Sequence, residues 1–161
     1  MKAHLVRGCV VAVLILGWAE AARAQDWKPV GTFGWFATGK VWELGKGHTY
    51  WLGEFSGTFL NDKGDGSLFH RAGVRCPAFD DNDSNTKKRT AAGRCIITDR
   101  DGDQAFLTWQ GAGDSMSIPG TFSFIGGTGK YKGINSSNNF TGGPAVPYQD
   151  GTASGFSTWN R

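Results

Sequence analysis

Short segments of β-branched and aromatic residues alternate along the chain with clusters of Gly, Asn, Asp and Pro. No stretch keeps the helical period of about 3.6 residues for longer than two turns. Short apolar segments separated by turn residues are typical of an all-β sandwich or barrel. We predict eight strands, which cover Gly31–Leu44, His48–Leu60, Ser67–Cys76, Gly93–Thr98, Gln104–Gln110, Gly120–Ile125, Ser137–Gly142 and Gly151–Trp159.

The links between these strands are short, and two of them contain an Asp-Gly pair, at Asp65-Gly66 and Asp101-Gly102. Asp-Gly tolerates the positive φ angles that a tight hairpin needs. Short consecutive links favour a meander, and eight strands in this order close readily into a barrel without exposed edges. The expected fold is therefore all-β, an eight-stranded antiparallel closed β-barrel of meander topology, with a two-sheet sandwich as the alternative.

Neither face of the first two predicted strands is cleanly polar. In the second strand Trp51, Phe55 and Phe59 share one face, while Tyr50 and Leu52 lie on the other, because successive side chains of a strand point to opposite sides. An apolar outer face needs cover, and contacts between subunits supply it most simply. We therefore expect a homo-oligomer.

The N-terminus has the features of a secretory signal. Basic residues precede an apolar run at 8–18, and the sequence ARA at 22–24 suits a signal peptidase. The run is too short to cross a bilayer as a helix, and no later segment is long and apolar enough to span. We predict that residues 1–24 are a signal peptide and that 25–161 form a single β-barrel domain, periplasmic or secreted.

Charge and cysteines refine this picture. The formal net charge of +3 falls to about +1 without the three basic residues and one acidic residue of the signal, so no nucleic-acid or anionic-membrane partner is expected. Cys9 leaves with the signal, and Cys76 and Cys95 remain. In an oxidising compartment this pair is predicted to form a disulfide, worth roughly 3 kcal/mol in the chain-entropy model. Neither cysteine has a second Cys or His at ligand spacing, so we expect no metal site. No cofactor is expected either.

Two charged segments have plain interpretations. The basic run Lys87-Lys88-Arg89 follows three aspartates, and we interpret it as a solvated loop tip. The alternate carboxylates of the segment Asp99–Asp103 could converge on Ca²⁺, but the segment does not match the EF-hand pattern. A hairpin turn at Asp101-Gly102 with solvated carboxylates accounts for every residue, and we favour that interpretation.

The segment 124–133, FIGGTGKYKG, resembles a signature shared by allene oxide cyclases and dirigent proteins. Both families carry a strand, then glycines around a small residue, an aromatic residue and a further glycine. Successive glycines permit a positive-φ corner between two strands, over which Tyr131 packs back. The segments 95–111 and 72–76 are similar to other cyclase strands, so that the resemblance covers about residues 41–159.

The resemblance implies that the chain is a bacterial, exported member of this group of β-barrel proteins. It also implies a calycin-type barrel, commonly trimeric, that holds a small apolar molecule in its mouth. It also places Glu43 on the segment where the cyclases hold a catalytic glutamate. Glu43 and Glu54 are the only glutamates after the signal. Inside an apolar barrel a carboxylate has a raised pKa and can act as a general acid or base, so both are candidate catalytic residues. The alternative is that each points outward or forms a salt bridge.

Aromatic walls with a few polar groups suit a small-molecule cavity. The predicted ligand pocket consists of Tyr50, Trp51, His70, Trp109 and Tyr131, although a buried, hydrogen-bonded His70 without a ligand role is the alternative for that residue. We expect an exported barrel that binds a small apolar or aromatic molecule. If it is an enzyme, it is a cofactor-free isomerase, cyclase or lyase that restrains its substrate in a dry pocket. The alternative is a non-catalytic ligand-binding, inhibitor or structural barrel.

Overall fold

The structure is a computed structural model that describes residues 27–64, 66–114, 116–143, 146–148 and 150–161. The predicted signal peptide lies outside these residues. The described residues form no α-helix, and one 3₁₀ turn, Gly129–Tyr131, follows the sixth strand. The strands are β1 (Gly31–Gly45), β2 (His48–Asn61), β3 (Ala72–Asp83), β4 (Lys88–Thr98), β5 (Gln104–Gly113), β6 (Ile118–Gly127), β7 (Ser137–Gly142), β8 (Val146–Pro147) and β9 (Ala153–Trp159).

Eight of these strands form a closed ring. Neighbours in sequence pair antiparallel from β1 to β7, β7 pairs with β9, and β9 pairs with β1. The short strand β8 pairs with β9 and stands outside the ring. The predicted eight-stranded antiparallel closed barrel in meander order is therefore confirmed.

The barrel wall is higher on one side than on the other. Strands β1 to β4 have 11 to 15 residues each, whereas β7 and β9 have 6 and 7. Strand β9 pairs with β1 over Gly31–Ala37, so the rest of β1 extends past it. We call the extensions at residues 38–45, 48–53, 79–83 and 88–92 the high wall. The end of the barrel that it borders is the mouth, and the opposite end is the closed end.

Aromatic and aliphatic side chains fill the closed end. Phe59 and Ile97 are completely buried, and Phe124 is 2% exposed. Three further rings cover this end from outside the sheet. Phe69, from the link between β2 and β3, lies 4.9 Å from the ring of Tyr131, which follows β6. Trp27 packs edge-on against Tyr131 at 5.8 Å, so the core is sealed at this end.

The glycine corner after β6 has the predicted form. Gly126 and Gly129 adopt positive φ angles of 140° and 48°, and a Cβ on Gly129 would overlap the carboxylate of Asp103. Tyr131 packs back over the corner, is 3% exposed and donates its hydroxyl hydrogen to Asp99 Oδ2 at 2.9 Å. The corner thus closes one end of the barrel.

Strands β3 and β4 differ most from the prediction. Strand β3 begins at Ala72 rather than Ser67, since Phe69 and Arg71 have positive φ angles of 58° and 59° that a strand does not accommodate. It also continues to Asp83, because Pro77 removes a single N–H from the ladder without ending the strand. Strand β4 begins at Lys88 rather than Gly93. Arg89 therefore belongs to a strand, and its interpretation as part of a solvated tip was wrong.

The predicted disulfide joins β3 to β4. Cys76 and Cys95 are bonded, with their Cα atoms 4.1 Å apart, and both side chains are buried inside the barrel. They lie between the filled closed end and the mouth, where the disulfide ties together the two strands that carry much of the high wall.

Candidate functional site

A cavity lies in the mouth half of the barrel, above the packed core. Its volume is about 80 Å³, and every strand of the ring contributes to its lining. It adjoins an outer chamber of about 390 Å³, which the high wall borders on one side and residues 147–148 and 151–153 on the other. Trp35, Phe55, Asp80 and Arg89 line both spaces. The bore is therefore solid at one end and hollow at the other.

Aromatic rings form a large part of the cavity wall. Phe55 occupies its centre, with the rings of Trp35 and Trp51 each 4.9 Å away and that of Trp109 at 6.1 Å. Trp109 in turn meets Phe140 edge to face at 5.7 Å and 88°. Edge-to-face and tilted contacts of this kind are the favoured geometry for aromatic pairs. The rings brace one another and leave their free faces and edges to the cavity.

Small residues on the inner face of the barrel wall provide the space that these rings occupy. A Cβ on Gly53 would lie 2.4 Å from the Trp51 ring, and one on Gly93 would lie 2.9 Å from Trp109 Nε1. Ala91, next to Gly93 on the same face, is buried and lines the cavity. Replacing any of these residues by a larger one displaces a ring or fills the cavity.

One ion pair faces the cavity among its apolar walls. Asp80 on β3 and Arg89 on β4 sit diagonally across the strand pair, since Asp80 is opposite Ala91 and Arg89 is opposite Asn82. Arg89 Nε donates to Asp80 Oδ1 and Oδ2 at 2.9 and 2.8 Å, and Nη2 lies 2.6 Å from Oδ2. The two side chains are only 9% and 18% exposed. A buried charge is tolerated when it is paired and hydrogen-bonded in this way.

The indole N–H of Trp109 is the second polar feature beside the cavity. Its Nε1 is buried and has no hydrogen-bond partner among the described residues. A buried donor without an acceptor costs about 1–3 kcal/mol. One buried donor beside the cavity is therefore left unsatisfied by the described residues.

The structure separates the five predicted pocket residues. Trp109 lines the cavity and Trp51 lines the outer chamber. Tyr50 points to the outside, where it stacks on Phe79 at 5.8 Å. Tyr131 seals the closed end, and burial together with its bond to Asp99 raises its pKa. His70 lies in the link before β3, away from the residues that line the cavity.

The two candidate glutamates occupy different places. Glu43 is exposed near the tip of β1, on the same strand face as Val41, which lines the outer chamber. Glu54 is on the outer face of the barrel, where Arg75 Nε donates to its Oε1 at 2.7 Å. That bond, helped by one from Ser56, lowers the pKa of Glu54. A raised pKa was the basis for assigning Glu54 an acid-base role, and its surroundings act in the opposite direction.

The Asp99–Asp103 segment forms a turn whose carboxylates bind protein groups. Lys130 Nζ lies 2.6 Å from Asp99 Oδ2 and 2.7 Å from Asp101 Oδ2, and Lys130 N donates to Asp103 Oδ2 at 3.1 Å. Gly102 has the positive φ angle, 86°, that the hairpin turn requires. Within the described parts of the chain, no group of three or more His, Cys, Asp or Glu residues is arranged to hold a metal ion.

Comparison with known proteins adds no identification: no protein-family model matches the chain, and no curated protein matches it. The described residues contain no helix of the length and apolarity needed to cross a bilayer. The case for function therefore depends on the site itself.

Sequence reasoning missed the ion pair, although a signal for it exists. Ala72, Val74 and Cys76 alternate inward on β3, and continuing the same alternation past Pro77 brings Ala78 and Asp80 to the inner face. Counting backward from Cys95 along β4 brings Ala91 and Arg89 inward in the same way. Because the charged residues were assigned to a loop, the alternation that turns Asp80 and Arg89 toward the inside of the barrel was overlooked.

Proposed function

We propose that this protein is an exported barrel that binds a small apolar or aromatic molecule in its mouth. The observation that carries the proposal is the cavity of about 80 Å³, which continues into an outer chamber of about 390 Å³. Ligand pockets in proteins measure roughly 300–1,000 Å³ and are mostly apolar with a few placed polar groups. The two spaces together have this size, and Asp80 and Arg89 supply the polar groups.

The shape of the site favours a ligand with a ring. The inner cavity is small, about 80 Å³, and the rings of Trp35, Phe55, Trp109 and Phe140 are among its lining. A flat apolar group gains both area burial and edge-to-face contacts there. The outer chamber, with Val41 and Trp51 on its wall, receives whatever part of the ligand does not fit inside.

Catalysis is the second candidate function. The resemblance to allene oxide cyclases implies a cofactor-free isomerisation or cyclisation, and Glu43 lies on the strand face that borders the outer chamber. Asp80 is the carboxylate that lines the inner cavity, and Arg89 already neutralises it. Binding requires only the observed cavity, whereas catalysis also requires an unpaired acid or base, so we place binding first.

Export and self-association complete the proposal. The disulfide between Cys76 and Cys95 supports an oxidising compartment. Large apolar side chains are exposed on the outer face of the barrel, among them Leu52 at 51% and Phe156 at 47%. Exposed apolar groups of this kind support contacts between copies of the chain.

Nile red, a neutral dye that fluoresces in apolar surroundings, tests the proposed site directly. Wild-type protein is expected to bind it. Ala91→Leu fills the inner cavity and should weaken binding by about tenfold or more, which corresponds to 1.4 kcal/mol. Ala92→Leu makes the same change one residue along β4, on the opposite face, and should leave the affinity unchanged. Equal dye binding by both variants and the wild type would contradict a ligand site in the mouth.

Native mass spectrometry of protein purified from its oxidising compartment extends this test. A co-purifying small molecule, present in the wild type and lost in Ala91→Leu, would support binding, and the same spectra give the number of subunits. A ligand whose mass changes on incubation with the protein would favour the catalytic candidate.

A further inference from the structure

The Arg89 guanidinium has donors to spare. Its contacts with Asp80 use Nε and Nη2. A guanidinium carries five N–H groups in a fixed plane, and Nη1 makes no hydrogen bond to the described residues. Since Arg89 lines both the cavity and the outer chamber, the unused N–H groups lie where a ligand can accept them.

The partner of Arg89 determines which acceptors are favoured. Asp80 Oδ2 lies 2.6 Å from Arg89 Nη2, so that an anion placed beside Arg89 also lies close to a carboxylate. Attraction and repulsion then nearly cancel, while the anion still loses its hydration on entering an apolar cavity. A neutral acceptor, such as a carbonyl oxygen, receives a charge-assisted hydrogen bond from Arg89 at a much smaller cost of desolvation.

From this arrangement we propose that the mouth selects uncharged ring compounds that carry a carbonyl or similar neutral acceptor, and that it discriminates against their carboxylate analogues. Arg89 is the residue that binds the acceptor, and Asp80 is the residue that excludes anions. This inference rests on the proposed function, because it names the ligand class of the same cavity. The aromatic wall binds the ring of the ligand, and the ion pair selects for a neutral acceptor on that ring.

Three compounds of nearly equal size separate the contributions of the ring, the neutral acceptor and the negative charge to binding. Acetophenone has a ring and a neutral acceptor, ethylbenzene has the ring alone, and benzoate has the ring and a negative charge. Binding is measured by calorimetry or by ligand-observed NMR. We expect acetophenone to bind wild-type protein about tenfold more tightly than ethylbenzene, which is the effect of one hydrogen bond from a charged donor. Benzoate is expected to bind at least tenfold more weakly than acetophenone.

Asp80→Asn provides the sharpest variant. It leaves Arg89 without its counter-charge, and benzoate should then gain at least tenfold and become the preferred ligand. Because this variant risks misfolding, the double variant Asp80→Asn with Arg89→Gln provides a neutral pair. In that variant acetophenone should bind within about threefold of ethylbenzene, because the charged donor is gone. Asp62→Asn breaks the exposed pair with Arg161, away from the cavity lining, and serves as the control with unchanged affinities.

The outcomes distinguish this inference from the proposed function. If ethylbenzene and acetophenone bind equally to the wild type, or if benzoate binds as tightly as acetophenone, the selectivity is wrong while ligand binding stands. If benzoate fails to gain in folded Asp80→Asn, Asp80 is not the excluding residue. If none of the three compounds and no Nile red binds, the proposed function itself is overturned.

Discussion

The two ends of this barrel are built from the same kinds of residue, yet one end is packed solid and the other encloses a cavity. The closed end contains Phe59, Phe69 and Phe124, each no more than 2% exposed. The mouth contains Trp35, Trp51 and Trp109, which are half-buried and surround a cavity. The proportion of aromatic residues therefore does not decide whether a barrel end is a core or a pocket.

The difference comes from what covers each end. At the closed end the link before β3 and the glycine corner after β6 fold back and place Phe69 and Tyr131 over the bore. At the mouth, β7 and β9 are short and the high wall stands on one side. Residues 147–148 and 151–153 border the outer chamber without filling it. This difference in packing between the two ends can be tested by mutation.

Truncating one ring at each end should give the largest difference. Phe124→Ala removes a fully packed side chain and should lower the free energy of unfolding by about 3–5 kcal/mol. Trp51→Ala removes a larger but half-exposed ring and should cost no more than about 2 kcal/mol, while it weakens Nile red binding. Urea denaturation measures both effects. Equal losses of stability at the two ends would contradict a solid core and a hollow mouth.

Removing the disulfide tests the boundary between the two regions. The Cys76→Ala, Cys95→Ala double variant should lose about 3 kcal/mol of unfolding free energy, because the unfolded chain regains the entropy of an open loop. Both cysteines line the cavity, so ligand affinity should fall as well. Amide hydrogen exchange should rise first in β3 and β4 at the high wall. Unchanged stability in the double variant would show that the strand pair needs no covalent link.

Acid sensitivity should differ between the ends by a smaller amount. Burial raises the pKa of Asp99, but bonds from Lys130, Tyr131 and the Asp101 N–H outweigh it and lower that pKa overall. A carboxylate whose pKa is lowered in the folded state stabilises the fold at pH values above its ordinary pKa, near 3.8. This stabilisation is lost as the pH falls through the folded-state pKa. Asp99→Asn should therefore flatten the acid limb of a stability profile measured by thermal unfolding.

Asp83, next to the tip of the high-wall hairpin, is the matched control for Asp99. Its pKa is also lowered, chiefly by a hydrogen bond from Thr86, but that bond is exposed to solvent, where such contacts contribute little. Asp83→Asn should change the acid limb less than Asp99→Asn does. A larger effect at Asp83 would mean that the mouth, and not the closed end, governs acid unfolding.

Much of the fold could be predicted because its signals are local. Alternation of apolar residues identified the strands, Asp101-Gly102 marked a hairpin, and the glycines at 126–129 marked the corner that Tyr131 covers. The disulfide followed from the count of cysteines and from the predicted compartment. Each of these features depends on a few neighbouring residues, and the expected barrel could be assembled from them.

The candidate site could be predicted only in part. Trp51 and Trp109 were placed on its wall, while Tyr50 and Glu54 face outward, on the outer side of β2. The period of a strand shows which residues share a face, but it does not show which face turns inward. That choice depends on the register with neighbouring strands and on the closure of the ring.

What the sequence determined by itself is the set of strands, their order and the chemistry of the turns, because these follow from periodicity and backbone preference. The tertiary structure alone decided that the barrel is hollow at the mouth and that Asp80 and Arg89 face each other inside it. The physical reason is that a cavity is a relation among strands distant in sequence. Its depth depends on how far β1 to β4 extend beyond β7 and β9, and no single segment contains that difference.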